Sequence, residues 1–202
     1  MKPIIGVIMR PSISENKLKI KYLYDDIEYA IIKSGGIPIG IDSNYIDNYL
    51  DFCNGFIIPG GDDILDGDLL AIKKINDLDI PLLGICLGMQ EIAYLNNGII
   101  CDVLNHKNDD LHEIIIKKNS LLYKILGCEK TLVNSRHKSA VSATKLMVSA
   151  ISSDNVIEAV EDASKRFLLG VEWHPENMYD TDLNARKIFD YFVKICNDSN
   201  DC

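Results

Sequence analysis

The stretch Gly84-Ile85-Cys86-Leu87-Gly88 carries the most chemical content in this sequence. A cysteine between two glycines, where an apolar run hands over to a helical pattern, is the elbow arrangement of a nucleophilic hydrolase with sulfur in place of a serine hydroxyl. The glycines would let helix and strand pack closely while the nucleophile sits on a sharp, strained turn. Such a turn would lift the sulfur to the carboxyl end of a sheet and set it at a helix N-terminus, where the dipole favours thiolate. The backbone N–H of Leu87 could then face an oxyanion developing on a carbonyl.

Two other segments could complete such a site. Pro59-Gly60-Gly61-Asp62-Asp63 follows an apolar run, and its glycines would let a backbone N–H meet a substrate with no side chain in the way. By itself a Pro-Gly-Gly is usually only a turn. Glu172-Trp173-His174-Pro175-Glu176 ends another apolar run. Pro175 biases His174 toward an extended backbone, in which residues two apart point to the same side. His174 would act as base and Glu176 as the carboxylate that orients it. A buried cysteine is most often a small apolar filler, and a histidine at a strand end is most often structural. The three segments together point instead to covalent catalysis at Cys86, with His174 and Glu176 completing a triad.

These residues need elements to hold them. Ile4 to Met9 and Gly55 to Ile58 are short apolar runs, as expected of buried strands, and Ile37 to Ile41 and Pro81 to Ile85 read as further strands. Helical spacing separates them: Leu23, Ile27, Ala30 and Ile31, stopped by Gly35-Gly36; Leu69 to Ile75; and the segment after Cys86. Beyond about residue 98 the pattern turns to short strands with few helices, at Ile114–Ile116, Leu132–Val133, Met147–Ala150, Val156–Val160 and Phe167–Val171. Asn105 to Leu111 reads as a polar loop. Ala185, Ile188, Phe189, Phe192, Val193 and Cys196 close the chain as an amphipathic helix, with Thr181 or Asp182 as its N-cap. Strand–helix alternation followed by further strands predicts an α/β sandwich with a largely parallel sheet, and residues 1–202 read as one domain.

Composition narrows the function classes. With 202 residues, 47% hydrophobic and 25% charged, the chain can bury a core without disulfides or a structural metal. A net charge of −9 argues against nucleic-acid or anionic-membrane partners. Lys17, Lys19 and Lys21 lie among acidic residues and read as a solvated surface. The six scattered cysteines form no C-x-x-C pair and read as free thiols. No secretory leader and no membrane-length apolar run is apparent, so a cytoplasmic location is expected.

The motifs also resemble those of a known superfamily. Pro59-Gly60-Gly61, Gly84-Ile85-Cys86-Leu87-Gly88-Met89-Gln90 and Trp173-His174-Pro175-Glu176 look like class I glutamine amidotransferase domains. More narrowly, Ser34-Gly35-Gly36-Ile37-Pro38, Val133-Asn134-Ser135-Arg136-His137 and Val156-Ile157-Glu158-Ala159-Val160-Glu161 resemble segments of the γ-glutamyl-γ-aminobutyrate hydrolase group. The resemblance implies a flavodoxin-like three-layer sandwich. It also implies Cys86 as nucleophile, His174 as general base and acid, Glu176 as its orienter, and an oxyanion hole from the N–H groups of Gly61 and Leu87. Gly60, Gln90, Ser135, Arg136 and His137 would hold a γ-glutamyl head group. A γ-glutamyl thioester would form and be hydrolysed, with no metal or organic cofactor.

This sequence departs from the hydrolase pattern at several points. Leu87 stands where that group has Arg, Lys138-Ser139 replace a His-Gln, and Glu172 replaces a Gln. The segment between the elbow helix and His112 is shorter than in typical members. The expected activity is cleavage of a γ-glutamyl amide in a small molecule, by a chain that forms a homo-oligomer or acts alone. One alternative is a glutaminase subunit delivering ammonia to a separate synthase partner, which Leu87 and the compact length favour. Another is a silent binding module, against which the presence of all three triad residue types argues.

Overall fold

The computed structural model describes residues 1–103, 106 and 110–198, so Asn105, 107–109 of the expected polar loop and Cys202 lie outside the described residues. In chain order the elements are β1 (Ile4–Ile8), β2 (Arg10–Ile13), β3 (Lys19–Tyr22), α1 (Asp25–Lys33), β4 (Ile37–Ile41), β5 (Gly55–Ile58), α2 (Asp66–Asp77), β6 (Leu82–Ile85), α3 (Leu87–Leu95) and β7 (Ile99–Asp102). They continue with β8 (His112–Ile116), α4 (Leu121–Leu126), β9 (Lys130–Val133), β10 (Ser139–Ala143), β11 (Met147–Ser152), β12 (Ile157–Glu161), β13 (Leu168–Val171) and α5 (Leu183–Asn197).

Nine strands form one sheet in the order β4-β1-β5-β6-β13-β12-β11-β8-β9. From β4 to β13 every pairing is parallel; from β13 to β9 every pairing is antiparallel. Strands β5, β6 and β13 are buried at every residue, which is why they read as uninterrupted apolar runs rather than as alternation. Their side chains still divide by face. Ile57, Leu83, Ile85 and Leu169 join Ile27 and Ile31 of α1 and Phe189 and Phe192 of α5 in one core. Phe56, Ile58, Leu82 and Leu168 join Ala71 and Ile75 of α2 and Met89 and Ile92 of α3 in the other. Helices on both faces of the sheet make the three-layer, flavodoxin-like sandwich expected of the sequence.

Chain direction is what positions the site. The elbow after β6, the Pro59-Gly60-Gly61 loop after β5 and the Glu172–Glu176 segment after β13 all leave neighbouring parallel strands, in register at Ile58↔Gly84 and Val171↔Ile85. Three segments far apart in sequence therefore emerge side by side at the carboxyl rim, where ligands of parallel sheets collect.

Several elements depart from the expectation. Lys19 and Lys21 lie on β3, which pairs with β2 as an exposed hairpin. Its alternation is too polar to read as a strand. Helix α4 is only six residues long, set by Ser120, whose hydroxyl accepts the N–H of Tyr123, and by left-handed Gly127. Strands β7 and β10 pair outside the main sheet. Of the two caps open for α5, Asp182 is the one used, accepting from the N–H groups of Asn184 and Ala185.

Candidate active site

Cys86 sits at φ 52°, ψ −110°, a conformation costly for a residue with a side chain. Its neighbours explain how the fold tolerates this. A Cβ on Gly88 would lie 2.1 Å from the carbonyl oxygen of Ile58, and one on Gly84 would lie 2.6 Å from Ile92 Cδ1 and 2.8 Å from the Gly88 carbonyl. Both glycines are therefore required by the close packing of α3 on β5 and β6. The Cys86 N–H donates to the carbonyl of Val171, and its own carbonyl accepts from Gln90 N–H, so the strained turn is pinned at both ends.

His174 carries the imidazole. Its Nδ1 lies 2.6 Å from Glu176 Oε1. The route to this pair differs from the one expected. His174, at φ −108°, ψ 82°, caps a single 3-10 turn, Pro175–Met178, with Pro175 in its first position. Glu176 is thus brought back by a turn rather than presented two residues along an extended strand; Pro175 starts a helix, as its fixed φ and missing N–H allow. The backbone of His174 is clamped by Asn134, whose Oδ1 accepts the His174 N–H at 2.8 Å and whose Nδ2 donates to the His174 carbonyl at 3.0 Å. Sequence reading gave Asn134 no role of its own; its signal is the match of the Val133–His137 segment.

Cys86, His174 and Glu176 border one open cleft of about 350 Å³, together with Gly60, Gly61 and Arg136. Cys86 is only 8% exposed, but it forms part of the cleft wall. A Cβ on Gly60 would meet His174 Cε1 at 2.8 Å and Cys86 Cβ at 3.6 Å. The imidazole and the cysteine therefore flank the same glycine, and nothing larger fits between them. Gly61 and Leu87 are adjacent, since a Gly61 Cβ would come 3.0 Å from Leu87 Cδ2.

The Pro-Gly-Gly loop is held by Arg10, which sequence reading missed. Its Nε donates to the Gly60 carbonyl at 2.9 Å, and its guanidinium also reaches the Pro59 carbonyl and the carboxylate of Asp68. Glu91 of α3 lies 3.5 Å away. Arg10, Asp68 and Glu91 are all buried. A buried ion cluster that satisfies backbone carbonyls fixes a loop more firmly than the loop's own turn chemistry can.

The remaining predicted residues fall into two groups. Gln90, Arg136 and His137 line a smaller recess of about 100 Å³ that shares Gly61, Asp62, Cys86 and Arg136 with the cleft. Ser135 is turned away: its hydroxyl donates to the carbonyl of His106 at 2.9 Å. Gln90 Nε2 donates to the Ser139 carbonyl and to Glu172 Oε1. Glu172 is fully buried, and burial pushes its carboxyl well above the usual carboxylate range. Burial also holds the Cys86 thiol well above its ordinary range, Glu172 and Glu176 adding to the effect and the Leu87 N–H opposing it. Desolvation thus outweighs the helix N-terminus that would favour thiolate.

A family model described as Peptidase C26 matches residues 66–176, just over half of the chain. The chain is 30% identical to the γ-glutamyl-γ-aminobutyrate hydrolase of Escherichia coli K12, across 96% of this chain and 93% of that relative. The glutaminase domain of Trypanosoma brucei CTP synthase, solved with bound acivicin, superposes with a TM-score of 0.72 at 21% identity, over 97% of this chain and 94% of that one. A glutamine amidotransferase from Thermotoga maritima superposes with a TM-score of 0.70 at 12% identity, over 98% of each chain.

Proposed function

The chain belongs to the Peptidase C26 family of class I glutamine amidotransferase-like proteins, and from that premise we propose that it hydrolyses the γ-glutamyl C–N bond of a small γ-glutamyl amide through a thioester on Cys86. The observation that carries the reading is a strained elbow cysteine and a Glu176-bound imidazole that both border the space over Gly60.

In the proposed reaction His174 takes the Cys86 proton as sulfur attacks the γ-carbonyl carbon. Glu176 holds the imidazole tautomer and offsets the charge of the imidazolium. The oxyanion meets the N–H groups of Leu87 and Gly61. Collapse passes the His174 proton to the departing amine and leaves a γ-glutamyl thioester. Water, deprotonated by His174, attacks the thioester and releases glutamate and the thiol. In this reading Arg136, which lines both the cleft and the recess, meets the carboxylate of the glutamyl head group, with Gln90 and His137 lining the recess beside it.

The test is a panel of γ-glutamyl amides, including γ-glutamyl-γ-aminobutyrate and glutamine, given to the purified protein alone. Turnover, with a mass increase on Cys86 under rapid acid quench, is expected; no turnover of any member would overturn the reading. A second reading is favoured by Leu87 in the elbow: a glutaminase subunit that needs a synthase partner. It predicts glutamine as the preferred substrate and a rate that rises when the partner is added.

A further inference from the structure

A cluster of imidazoles and carboxylates behind the cleft takes no part in the chemistry above. His106, His112 at the start of β8 and Glu158 in β12 each offer one donor atom, and these atoms all lie within 4.8 Å of one another. We infer that His106, His112 and Glu158 form a site for a divalent transition-metal ion of the zinc class, which braces the outer half of the sheet against the wall of the cleft.

The two distances to Glu158 bracket those of a tetrahedral coordination shell. Glu158 Oε1 lies 2.9 Å from His112 Nε2 and 3.8 Å from His106 Nδ1. A tetrahedral ion with bonds of about 2.0–2.2 Å sets its ligand atoms about 3.3–3.6 Å apart. Small side-chain adjustments would therefore seat an ion among the three atoms and leave a fourth position for water.

The hydrogen-bond arrangement calls for a cation there. Asp154 Oδ2 lies 3.0 Å from His106 Nε2, so that nitrogen carries a proton, and a neutral ring would turn the Nδ1 lone pair inward, towards Ser135 Oγ at 3.1 Å and Glu158 Oε1 at 3.8 Å. A carboxylate on the far nitrogen is the usual way a ligating histidine is oriented. The Ser139 carbonyl can only accept, so His137 Nδ1, 3.1 Å away, is its donor. In a neutral ring His137 Nε2 then also presents a lone pair, 3.1 Å from that of His106. The Ser135 hydroxyl is spent on the His106 carbonyl and cannot separate them. Glu158 is fully buried, and its Oε2 has no partner among the described residues. With both rings neutral, two opposed lone pairs would lie beside a buried, half-satisfied carboxylate, a setting that an added cation would satisfy. Three donors of nitrogen and oxygen type suit zinc or cobalt better than magnesium or calcium, which prefer oxygen alone.

The consequence is mechanical. His137 touches His106 on one side and lines the recess beside Cys86 on the other. An ion at His106 would stiffen that recess without entering the reaction.

The experiment titrates Co²⁺ into the full-length protein after removal of metals with a chelator. One equivalent should bind and give visible d–d bands with no thiolate charge-transfer band, since no cysteine belongs to the site. Glu158→Gln and, separately, the milder His112→Gln should each weaken binding at least about tenfold. Zn²⁺ should raise the melting temperature of the wild type and leave that of either variant unmoved. Absence of d–d bands in a several-fold excess of Co²⁺ overturns the inference. So does binding that carries thiolate charge transfer, or binding that both substitutions leave intact.

Discussion

At the level of single residues the chemistry turns on how one sulfur is prepared. A free cysteine hydrolase can rest either as a thiolate–imidazolium pair or as a thiol beside a neutral imidazole. Burial and the carboxyls of Glu172 and Glu176 favour the thiol here. Below a raised pKa the thiolate fraction grows about tenfold per pH unit. Alkylation of Cys86 by iodoacetamide should therefore climb steadily from about pH 6 to about pH 9, whereas an ion pair would level off near neutrality. Labelling of wild type against Cys86→Ala, followed by peptide mass spectrometry, measures the Cys86 rate alone. The same proton economy orders the triad variants. Cys86→Ala should remove turnover, a loss on the order of a millionfold. Glu176→Gln keeps the nucleophile and costs on the order of a hundred- to ten-thousandfold in kcat. If the two variants fell equally, or Glu176→Gln lost nothing, the role given to the 2.6 Å His174–Glu176 contact would fail.

At the element scale the feature that sequence reading could not reach is Arg10. It lies on β2, yet it ties the loop after β5 to α2 through Asp68 and approaches α3 through Glu91. Replacing it by Met would leave Asp68 and Glu91 buried without their cation, a loss of about 3–5 kcal/mol. Urea unfolding measures this, and adding Asp68→Asn and Glu91→Gln should recover much of it. Glu91 also sets a pH dependence. Burial pushes its carboxyl from an ordinary 4.5 up to about 7, with Arg10 opposing. Between those values the folded protein keeps a proton that the unfolded chain has released. Stability from this group therefore falls as pH rises through that window, by roughly 3 kcal/mol in all. Glu91→Gln should abolish that part of the slope.

The contrast explains what was legible. Strands β1, β5 and β6 and helices α1, α2, α3 and α5 announce themselves because burial on both faces of a sheet, or on one face of a helix, leaves a repeating apolar signature; β4 reads as a strand from its alternate isoleucines although it lies at the sheet edge with only Ile41 buried. The elbow is legible because its glycines answer local packing needs. The β2–β3 hairpin and α4 are short and polar, and the turn that joins His174 to Glu176 depends on Pro175 starting a helix where it could equally have kept a strand extended. Arg10, Asn134 and the His106 cluster matter through contacts 31 to 81 residues apart in sequence, and single-sequence patterns carry no trace of such pairs.

At the scale of the whole molecule the question is whether the parallel and antiparallel halves of the sheet stand or fall together. Strand β13 is the last strand in the chain, yet it lies between β6 and β12, joining the parallel half to the antiparallel one. Neither half has a complete sheet without it, and α5, which follows it, packs in the same core as α1 and α4. The site grows from this seam, because the segment after β13 carries His174 and Glu176. We therefore propose that residues 1–202 unfold as one cooperative unit. Trp173 is the only tryptophan and is 2% exposed, so its fluorescence reports the seam beside His174, while far-UV circular dichroism reports all the strands and helices. In a urea titration the two signals should give coincident midpoints. A fluorescence transition at lower urea than the dichroism would mean that the seam opens while other elements remain folded, and that the chain holds two stability units rather than one.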